Sequence, residues 1–367
     1  MRVKTIAAAI LVMNAATSIE TRAQTASAPV LDCELLNIPD SFDTEITGCA
    51  KPLINRQSLL NTSASIRNII VNQFDQGPDR TEPAGLELHG TRDIAERLAG
   101  DGRITIAPTA DAAIPAATTK WNVWSDGKYS WLDDTSALSD LDGSLVNLVV
   151  GADYKVSDRL VVGVVGTYET SDMKAGGAPA PTQETDGWGG GVYMGLSLAD
   201  NLVFSANALG TDLGTEVNGG TDFDSTRIQA SSALTGYWYS GTWRYSPSLT
   251  VAWSKEWQDG TAVWTAHTIE SGIVSPGLQV GNTLSLGGST TVEPWLGAQF
   301  DWVAVNKVVD HVSGTILDDP YTDMGLQAGL NFAFGGHAQL ALTAEMNGIL
   351  YKDSDTYTAG ANFAYQF

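Results

Sequence analysis

The residues best suited to nucleophilic chemistry lie in one short stretch, residues 310–314. There His311 stands two positions before Ser313, which are the residue types of a general base and a nucleophile. Two such residues share a face only when they lie on a strand. This stretch belongs to a polar connection without strand-like alternation, so the sequence provides no element that holds the pair together. We therefore expect no catalytic residues.

Two cysteines, Cys33 and Cys49, are the only ones in the chain. In an exported protein such a pair forms a disulfide more often than a metal site, and no histidine lies near enough in sequence to complete a zinc site. The acidic pairs at 133–134 and 318–319 could bind calcium, but solvated loop carboxylates are the commoner case. We expect one disulfide, no metal and no cofactor.

The first residues have the three parts of a secretory signal peptide. Arg2 and Lys4 precede an apolar run at residues 6–13, and small residues follow up to Ala23. We expect residues 1–23 to be this signal. No other run approaches the roughly 18 apolar residues of a membrane helix, so the chain can span a membrane only as a β-barrel. With 42 acidic and 20 basic residues and a net charge of −22, no nucleic-acid partner is expected.

Residues 120–367 differ from everything before them, because apolar and polar residues alternate along most of their length. In residues 145–155 the even positions are apolar and the odd positions include Asn147 and Asp153, which is the pattern of a strand with two different faces. The strand starts predicted in this way are Trp121, Leu145, Leu160, Trp188, Leu202, Ile228, Trp243, Val263, Val292, Met324, Leu340 and Tyr357.

Short turns and longer polar connections alternate between these segments, as at the periplasmic and extracellular ends of bacterial barrels. The predicted long connections are residues 132–142, 171–186, 212–224, 255–260 and 306–323. The sequence therefore predicts an all-β fold, a twelve-stranded antiparallel transmembrane β-barrel with lipid outside and a polar lumen. The acidic residues expected on the lumen-facing side are Asp153, Glu169, Glu293, Asp301 and Glu345.

One stretch before the barrel, residues 53–76, has near-helical spacing of Leu59, Ile66, Ile70 and Phe74. A helix of about 20 residues is about 30 Å long, which matches the height of a barrel. We expect it to thread the lumen as a plug; the alternative is a periplasmic helix beside an open channel. Its polar residues expected to meet the inner wall are Arg56, Asn61, Arg67 and Asn68. The predicted segments are 1–23 (signal peptide), 24–52 (short N-terminal segment), 53–119 (helix and linker) and 120–367 (barrel).

The last segment, residues 355–367, alternates aromatic or apolar residues with small or polar ones. Phe363, Tyr365 and Phe367 stand on one face of this predicted strand. A final strand that ends in this way is similar to the terminal signature of bacterial outer-membrane barrels, which the periplasmic assembly machinery recognises. We therefore expect these three residues to form an assembly signal.

The order of several short motifs resembles the β-domain of autotransporters, the proteins of type V secretion. The motifs are Trp-Asn-Val-Trp-Ser-Asp-Gly-Lys-Tyr from Trp121, Gly-Ala-Asp-Tyr-Lys-Val-Ser-Asp from Gly151, Leu-Val-Val-Gly-Val-Val-Gly from Leu160 and Glu-Pro-Trp-Leu-Gly-Ala-Gln-Phe from Glu293. The resemblance covers residues 120–367. It implies a twelve-stranded translocator in the outer membrane of a Gram-negative bacterium, with a helix in its pore. The partners that it implies are outer-membrane lipid, the β-barrel assembly machinery and periplasmic chaperones.

The chain departs from this family in its passenger, because residues 24–51 provide only a minimal one. The helix also lacks the Asn-Asn junction at which some members are cut. We expect a translocator that displays a short N-terminal segment and acidic loops, whose ligand is unknown, at the cell surface. The alternatives are a stand-alone pore or a structural or adhesive barrel, and an outer-membrane lipid hydrolase. The last rests on His311 and Ser313, because some such hydrolases carry a His two residues from a Ser on a strand.

Overall fold

A computed structural model describes part of the chain. The described residues are 43–75, 120–136, 139–175, 182–218, 220–260, 266–287, 289–311, 314, 316–318, 320–335, 337–350 and 354–367. The predicted signal peptide, residues 1–23, lies outside these ranges. Within them, no helix is both long and apolar enough to cross a membrane.

A helix precedes the strands in the described ranges. The elements are α1 (Asp43–Phe74), β1 (Trp121–Ser136), β2 (Ser139–Ser157), β3 (Leu160–Ala175), β4 (Thr182–Ala199), β5 (Leu202–Val217), β6 (Thr221–Gly236), β7 (Trp238–Ser240), β8 (Trp243–Gln258), β9 (His267–Asn282), β10 (Leu284–Gly287), β11 (Thr290–Asp310), β12 (Ile316–Asp318), β13 (Tyr321–Phe334), β14 (Ala338–Asn347) and β15 (Ser354–Gln366).

The sheet closes on itself. Each long strand pairs antiparallel with the next, and β15 pairs with β1 from Asn122↔Gln366 to Asp134↔Ser354. The short strands β7, β10 and β12 continue β6, β9 and β13 across local irregularities and pair with β8 or β11. The barrel therefore has twelve strands, as predicted.

The two ends of the barrel differ. At the short-turn end, which includes the turns at residues 158–159, 200–201 and 241–242, the predicted starts Trp121, Leu160, Leu202 and Trp243 are correct. Gly241 there has a φ of 63°, a conformation that residues with a Cβ rarely adopt.

At the opposite end, which we call the long-hairpin end, β2, β4, β6, β13 and β15 begin earlier than predicted, whereas β9 begins at His267, after the predicted start Val263, which lies outside the described residues. β2 begins at Ser139 instead of Leu145, and β6 begins at Thr221 instead of Ile228. The predicted long connections at residues 132–142 and 212–224 are therefore wrong, because strand pairing continues to Ser136↔Ser139 and Val217↔Thr221. Where the strands extend beyond the lipid, their outward residues no longer need to be apolar, so the alternation is lost. Backbone hydrogen bonds between neighbouring strands still form there.

The polarity of the wall is that of a membrane barrel. Outward side chains are apolar and exposed, such as Trp188 at 71% and Leu296 at 69%. Inward side chains are polar and buried: Arg227, Glu256 and Asp301 are each 0% exposed. The polar interior needs internal partners, because unpaired buried charges are costly.

The helix α1 lies inside the barrel. It contacts β1–β6, β8, β9 and β11, and its side chains form hydrogen bonds with β13 and β15. It begins at Asp43 instead of the predicted Leu53, and it ends at Phe74 instead of Gln76. The early part was missed because no single apolar stripe marks it; Pro52 even stands inside the helix. The surrounding wall can bury apolar residues on every side of α1.

Three apolar clusters hold α1 at different heights. Near its start Ala50 and Ile54 pack with β1–β3, β5 and β6, and in the middle Leu59 packs with β8, β9 and β11. The cluster at its end contains Ile66, Ile69, Ile70, Val71, Phe74, Trp124, Val149, Val161, Val165, Tyr193, Val203, Leu209, Tyr237 and Ala364. Polar contacts fill the lumen between these clusters.

Candidate functional site

Four ionisable side chains form a buried network between α1 and the wall, which we call the central ion network: Lys51, Glu169, Arg227 and Glu256. Arg227 Nη1 donates to both carboxylate oxygens of Glu169, at 2.8 and 2.9 Å. Arg227 Nε donates to Glu256 Oε2 at 2.9 Å. Lys51 Nζ lies 3.6 Å from Glu256 Oε1. The network therefore links α1 to β3, β6 and β8.

Two more helix residues attach to the same carboxylates. Ser58 Oγ donates to Glu169 Oε2 at 2.5 Å, and Asn55 Nδ2 donates to Glu256 Oε2 at 3.2 Å. Lys51 also donates to Thr215 Oγ1 at 2.7 Å. Lys51, Asn55 and Ser58 lie one helical turn apart, so they present one polar row to the wall.

The central ion network carries two charges of each sign. Its ionisable side chains are almost fully excluded from solvent, with Glu169 the most exposed at 5%. Breaking a buried pair by removing one partner costs about 3–5 kcal/mol, because a charge is left uncompensated. Neutral balance is therefore what makes these four residues tolerable inside the barrel.

A second anchor joins Arg56 to Asp323 on β13. Arg56 Nη2 donates to Asp323 Oδ2 at 2.9 Å, and Nη1 donates to the Tyr321 hydroxyl at 2.5 Å. Asp323 also accepts from the backbone N–H groups of Met324 at 2.7 Å and Gly348 at 2.9 Å. These backbone donors hold the carboxylate in place independently of the helix arginine.

Amide side chains make the contacts on the other side of α1. Asn61 Nδ2 donates to Asn147 Oδ1 at 2.7 Å and to Ser130 Oγ at 3.2 Å. Gln57 Nε2 donates to Asn61 Oδ1 at 3.0 Å and to Thr358 Oγ1 at 3.3 Å. These bonds connect α1 with β1, β2 and β15, which include the closing pair of strands.

Polar contacts also hold the end of α1 near the short-turn end. Gln73 Nε2 donates to Asp153 Oδ1 at 2.9 Å, and the Tyr193 hydroxyl donates to Asp153 Oδ2 at 2.6 Å. The Tyr239 hydroxyl donates to Asp75 Oδ1 at 2.5 Å. Contacts with the wall thus hold the helix from Lys51 to the residue after its end.

Of the five acidic residues predicted to face the lumen, two contact α1 and three have partners on the wall. Glu169 and Asp153 contact α1 through Ser58 and Gln73. The other three acids have partners on the wall: Glu293 pairs with Arg244 at 2.5 Å, Glu345 with Lys128 at 3.7 Å, and Asp301 accepts from Ser275.

The predicted helix residues also differ. Arg56 and Asn61 are buried in the contacts given above, whereas Arg67 donates to Thr250 at 3.2 Å and to its neighbour Asn68 at 3.4 Å. Asn68 is exposed. Arg67 and Asn68 face a cavity of about 70 Å³ between α1 and the inner faces of β1, β6, β8, β9, β11 and β13–β15.

Sequence reasoning missed Lys51, Arg227, Glu256 and Asp323. Glu256 and Asp323 lay in predicted loops, and Lys51 lay in the predicted N-terminal segment. One signal could have found Glu256: polar residues at even positions of β8 continue through Ser254 to Gln258, which keeps Glu256 on the inner face.

The candidate chemical residues do not form a site among the described residues. His311 Nε2 lies 2.7 Å from the Thr268 hydroxyl, while Ser313 lies outside the described residues. Cys33 also lies outside them, as does the side chain of Cys49, so the disulfide stays a prediction.

The predicted assembly residues lie on the lipid side of β15. Phe363, Tyr365 and Phe367 are 46%, 42% and 58% exposed. The Phe367 N–H donates to the Trp121 carbonyl at 3.1 Å, and this bond completes the closure between β15 and β1.

Comparisons with known proteins agree with this architecture. A family model described as the autotransporter β-domain matches residues 123–345. No curated protein matches the chain. The translocator domain of the autotransporter NalP from Neisseria meningitidis is 11% identical, with a TM-score of 0.51 over 69% of this chain and 90% of that one.

Two further solved structures are similar in fold. The β-domain of the Bordetella autotransporter Brka is 13% identical, with a TM-score of 0.54 over 68% of this chain and all (100%) of that one. The transport unit of AIDA-I from Escherichia coli is 12% identical, with a TM-score of 0.55 over 69% of this chain and 92% of that one. The family match spans more than half of the 367 residues. The chain therefore belongs to the autotransporter β-domain family, the translocator barrels of the Gram-negative outer membrane.

Proposed function

We propose that α1 is the resident plug of the translocator pore and that the segment preceding α1 is displayed at the cell surface. The direction of α1 carries this proposal. Lys51, near its start, contacts Thr215 close to the long-hairpin end. Asp75, just after its end, contacts Tyr239 close to the short-turn end. Short turns are periplasmic and long loops extracellular in this class of barrel, so α1 runs from the outside inward.

The connection to β1 supports the same direction. β1 begins at Trp121, which lies at the short-turn end beside Tyr154. A chain that leaves the lumen at this end can join β1 without crossing the membrane again. A periplasmic passenger would require α1 to run the other way.

The small size of the cavity beside α1 supports a plug. The cavity beside Arg67 and Asn68 measures about 70 Å³. At about 10–15 Å³ of such volume for each water, it holds only about five waters. A folded or extended passenger cannot pass while α1 is in place.

Antibody access on intact cells tests the proposed topology. An epitope inserted after Ala28 should be accessible without permeabilisation. An epitope inserted in the short turn after Gly241 should become accessible only after permeabilisation. An inaccessible epitope at Ala28 together with an accessible one at Gly241 would reverse the direction, and an inaccessible Ala28 epitope alone would favour a stand-alone barrel.

We also propose that the barrel has no enzymatic activity and works through its lumen and its acidic surface hairpins. What supports this is the chemistry of the inner wall, where Glu169, Glu256 and Asp323 each accept a hydrogen bond from an arginine side chain. The lipid hydrolase alternative would require Ser313. We expect the purified unchanged protein and its Ser313→Ala variant to hydrolyse lipid equally, both at background level.

Arg56→Met should increase the frequency of channel opening in planar bilayers. The loss of a hydrogen bond to a charged group costs about 1.5–3 kcal/mol, so we expect a rise of about tenfold to a hundredfold. Asp323 keeps its backbone donors, so the wall should stay folded. Lys128→Met is the matched control, because Lys128 pairs with Glu345 on the wall. Equal opening frequencies in the two variants would contradict an anchoring role of Arg56.

We further propose that β15 presents the assembly signal to the β-barrel assembly machinery, after delivery by periplasmic chaperones. Phe367→Asp should reduce the amount of assembled, heat-modifiable protein in the outer membrane severalfold. Phe334→Asp is the control, because Phe334 is a 40% exposed aromatic residue that ends β13, one hairpin before β15. Equal losses would mean that Phe367 acts only through lipid contact.

A further inference from the structure

The lipid-facing side of β2–β5 contains an apolar groove of about 730 Å³ near the short-turn end. This volume lies within the roughly 300–1,000 Å³ of typical ligand sites. The outward residues that line it are Ala152, Val162, Val164, Val192, Met194, Ala206 and Ala208. Trp121 and Tyr154 close one side, with ring centroids 5.0 Å apart.

Cations stand at the short-turn end of this groove. Lys120 Nζ lies 5.8 Å from the centroid of the Tyr154 ring, which lines the groove. Arg159 is exposed in the turn between β2 and β3, the strands that carry Tyr154 and Val162. The acidic residues in the nearby turns are Asp158, which pairs with Lys155 at 3.7 Å, and Asp200 in the next turn.

The position of these cations is unusual for this chain. The whole protein has 42 acidic and 20 basic residues. Lys120 nevertheless lies against a ring that lines the groove, and Arg159 lies in the turn that joins two of its strands. Short turns are on the periplasmic side in this class of barrel. Cations near a membrane surface attract anionic lipids, with about 1 kcal/mol for each Lys or Arg.

We infer that this groove binds an anionic phospholipid of the periplasmic leaflet. One acyl chain lies along Ala152, Val164 and Ala206, and the headgroup phosphate lies between Lys120 and Arg159. The indole of Trp121 and the phenol of Tyr154 occupy the interface between chain and headgroup, where amphipathic rings are favoured. The groove selects for the charge of the headgroup, whereas the apolar floor retains the chain.

Native mass spectrometry of the full-length protein in detergent tests this assignment. The protein is titrated with dioleoyl phosphatidylglycerol and, separately, with dioleoyl phosphatidylethanolamine. One phosphatidylglycerol should be retained in preference to phosphatidylethanolamine. Lys120→Ala and Arg159→Ala should each weaken its binding about fivefold, and Ala206→Phe, which fills the groove, should abolish the preference.

Matched controls separate this site from general lipid contact. Lys174→Ala removes an exposed cation from the other end of β3, and Ala344→Phe adds a ring to an exposed outward position of β14. Both should bind as the unchanged protein does, and heat-modifiability checks that every variant is folded. Equal binding of the two lipids, or equal losses in test and control variants, would overturn the inference. Displacement of the lipid by inorganic phosphate alone would overturn the proposal that the groove binds the acyl chain.

Discussion

Deleting residues 24–119 should raise the single-channel conductance of the barrel on the order of tenfold, because a helix with its side chains is about 10–12 Å wide. In the intact chain, α1 contacts strands around most of the wall. One cavity beside α1 measures about 70 Å³. Removing α1 therefore takes away the element that occupies the lumen and leaves an open aqueous pore. Planar bilayer recordings of purified protein measure the change.

Deleting only residues 24–40 is the matched control. This deletion removes the segment that precedes α1 and leaves the helix intact, so the conductance should remain that of the full chain. A conductance that stays unchanged in the longer deletion would place α1 outside the lumen and would contradict the plug proposal. A rise in both deletions would shift the obstruction to the N-terminal segment.

Arg227→Met should destabilise the folded barrel by about 3–5 kcal/mol, because it leaves a buried carboxylate uncompensated. Arg227 is 0% exposed and is the residue that joins Glu169 to Glu256. Without it, two carboxylates face one ammonium group, that of Lys51. The free energy of unfolding, obtained from urea titrations in detergent, measures the loss.

Two companion variants show whether charge balance is the cause. Arg227→Met combined with Glu169→Gln removes one charge of each sign and should recover much of the stability. Lys255→Met removes a cation from a pair that is 4.0 Å long and about one-third exposed, so it should cost at most about 1 kcal/mol. A double variant no more stable than Arg227→Met would point to lost packing instead of lost charge balance.

The barrel could be predicted from sequence because lipid imposes a local rule. Every second residue of a crossing strand must be apolar, and the outward residues Val162 and Val164 of β3 follow this rule. Closing turns are equally local, so the starts at Leu160, Leu202 and Trp243 were correct. This requirement for apolar residues holds only where a strand faces lipid. Glu256 and Asp323 were therefore assigned to loops, although both lie on paired strands.

The sequence by itself determined which face of each strand meets lipid and which meets the lumen, because a strand's two faces follow from a period of two residues. Only the tertiary structure decided which inward residues meet. Arg56 reaches Asp323, which is 267 positions away, and Arg227 joins Glu169 to Glu256 across three strands. Such partners depend on the register with which β15 closes on β1 and on the rotation of α1 in the lumen, and neither quantity is encoded in any local pattern of residues.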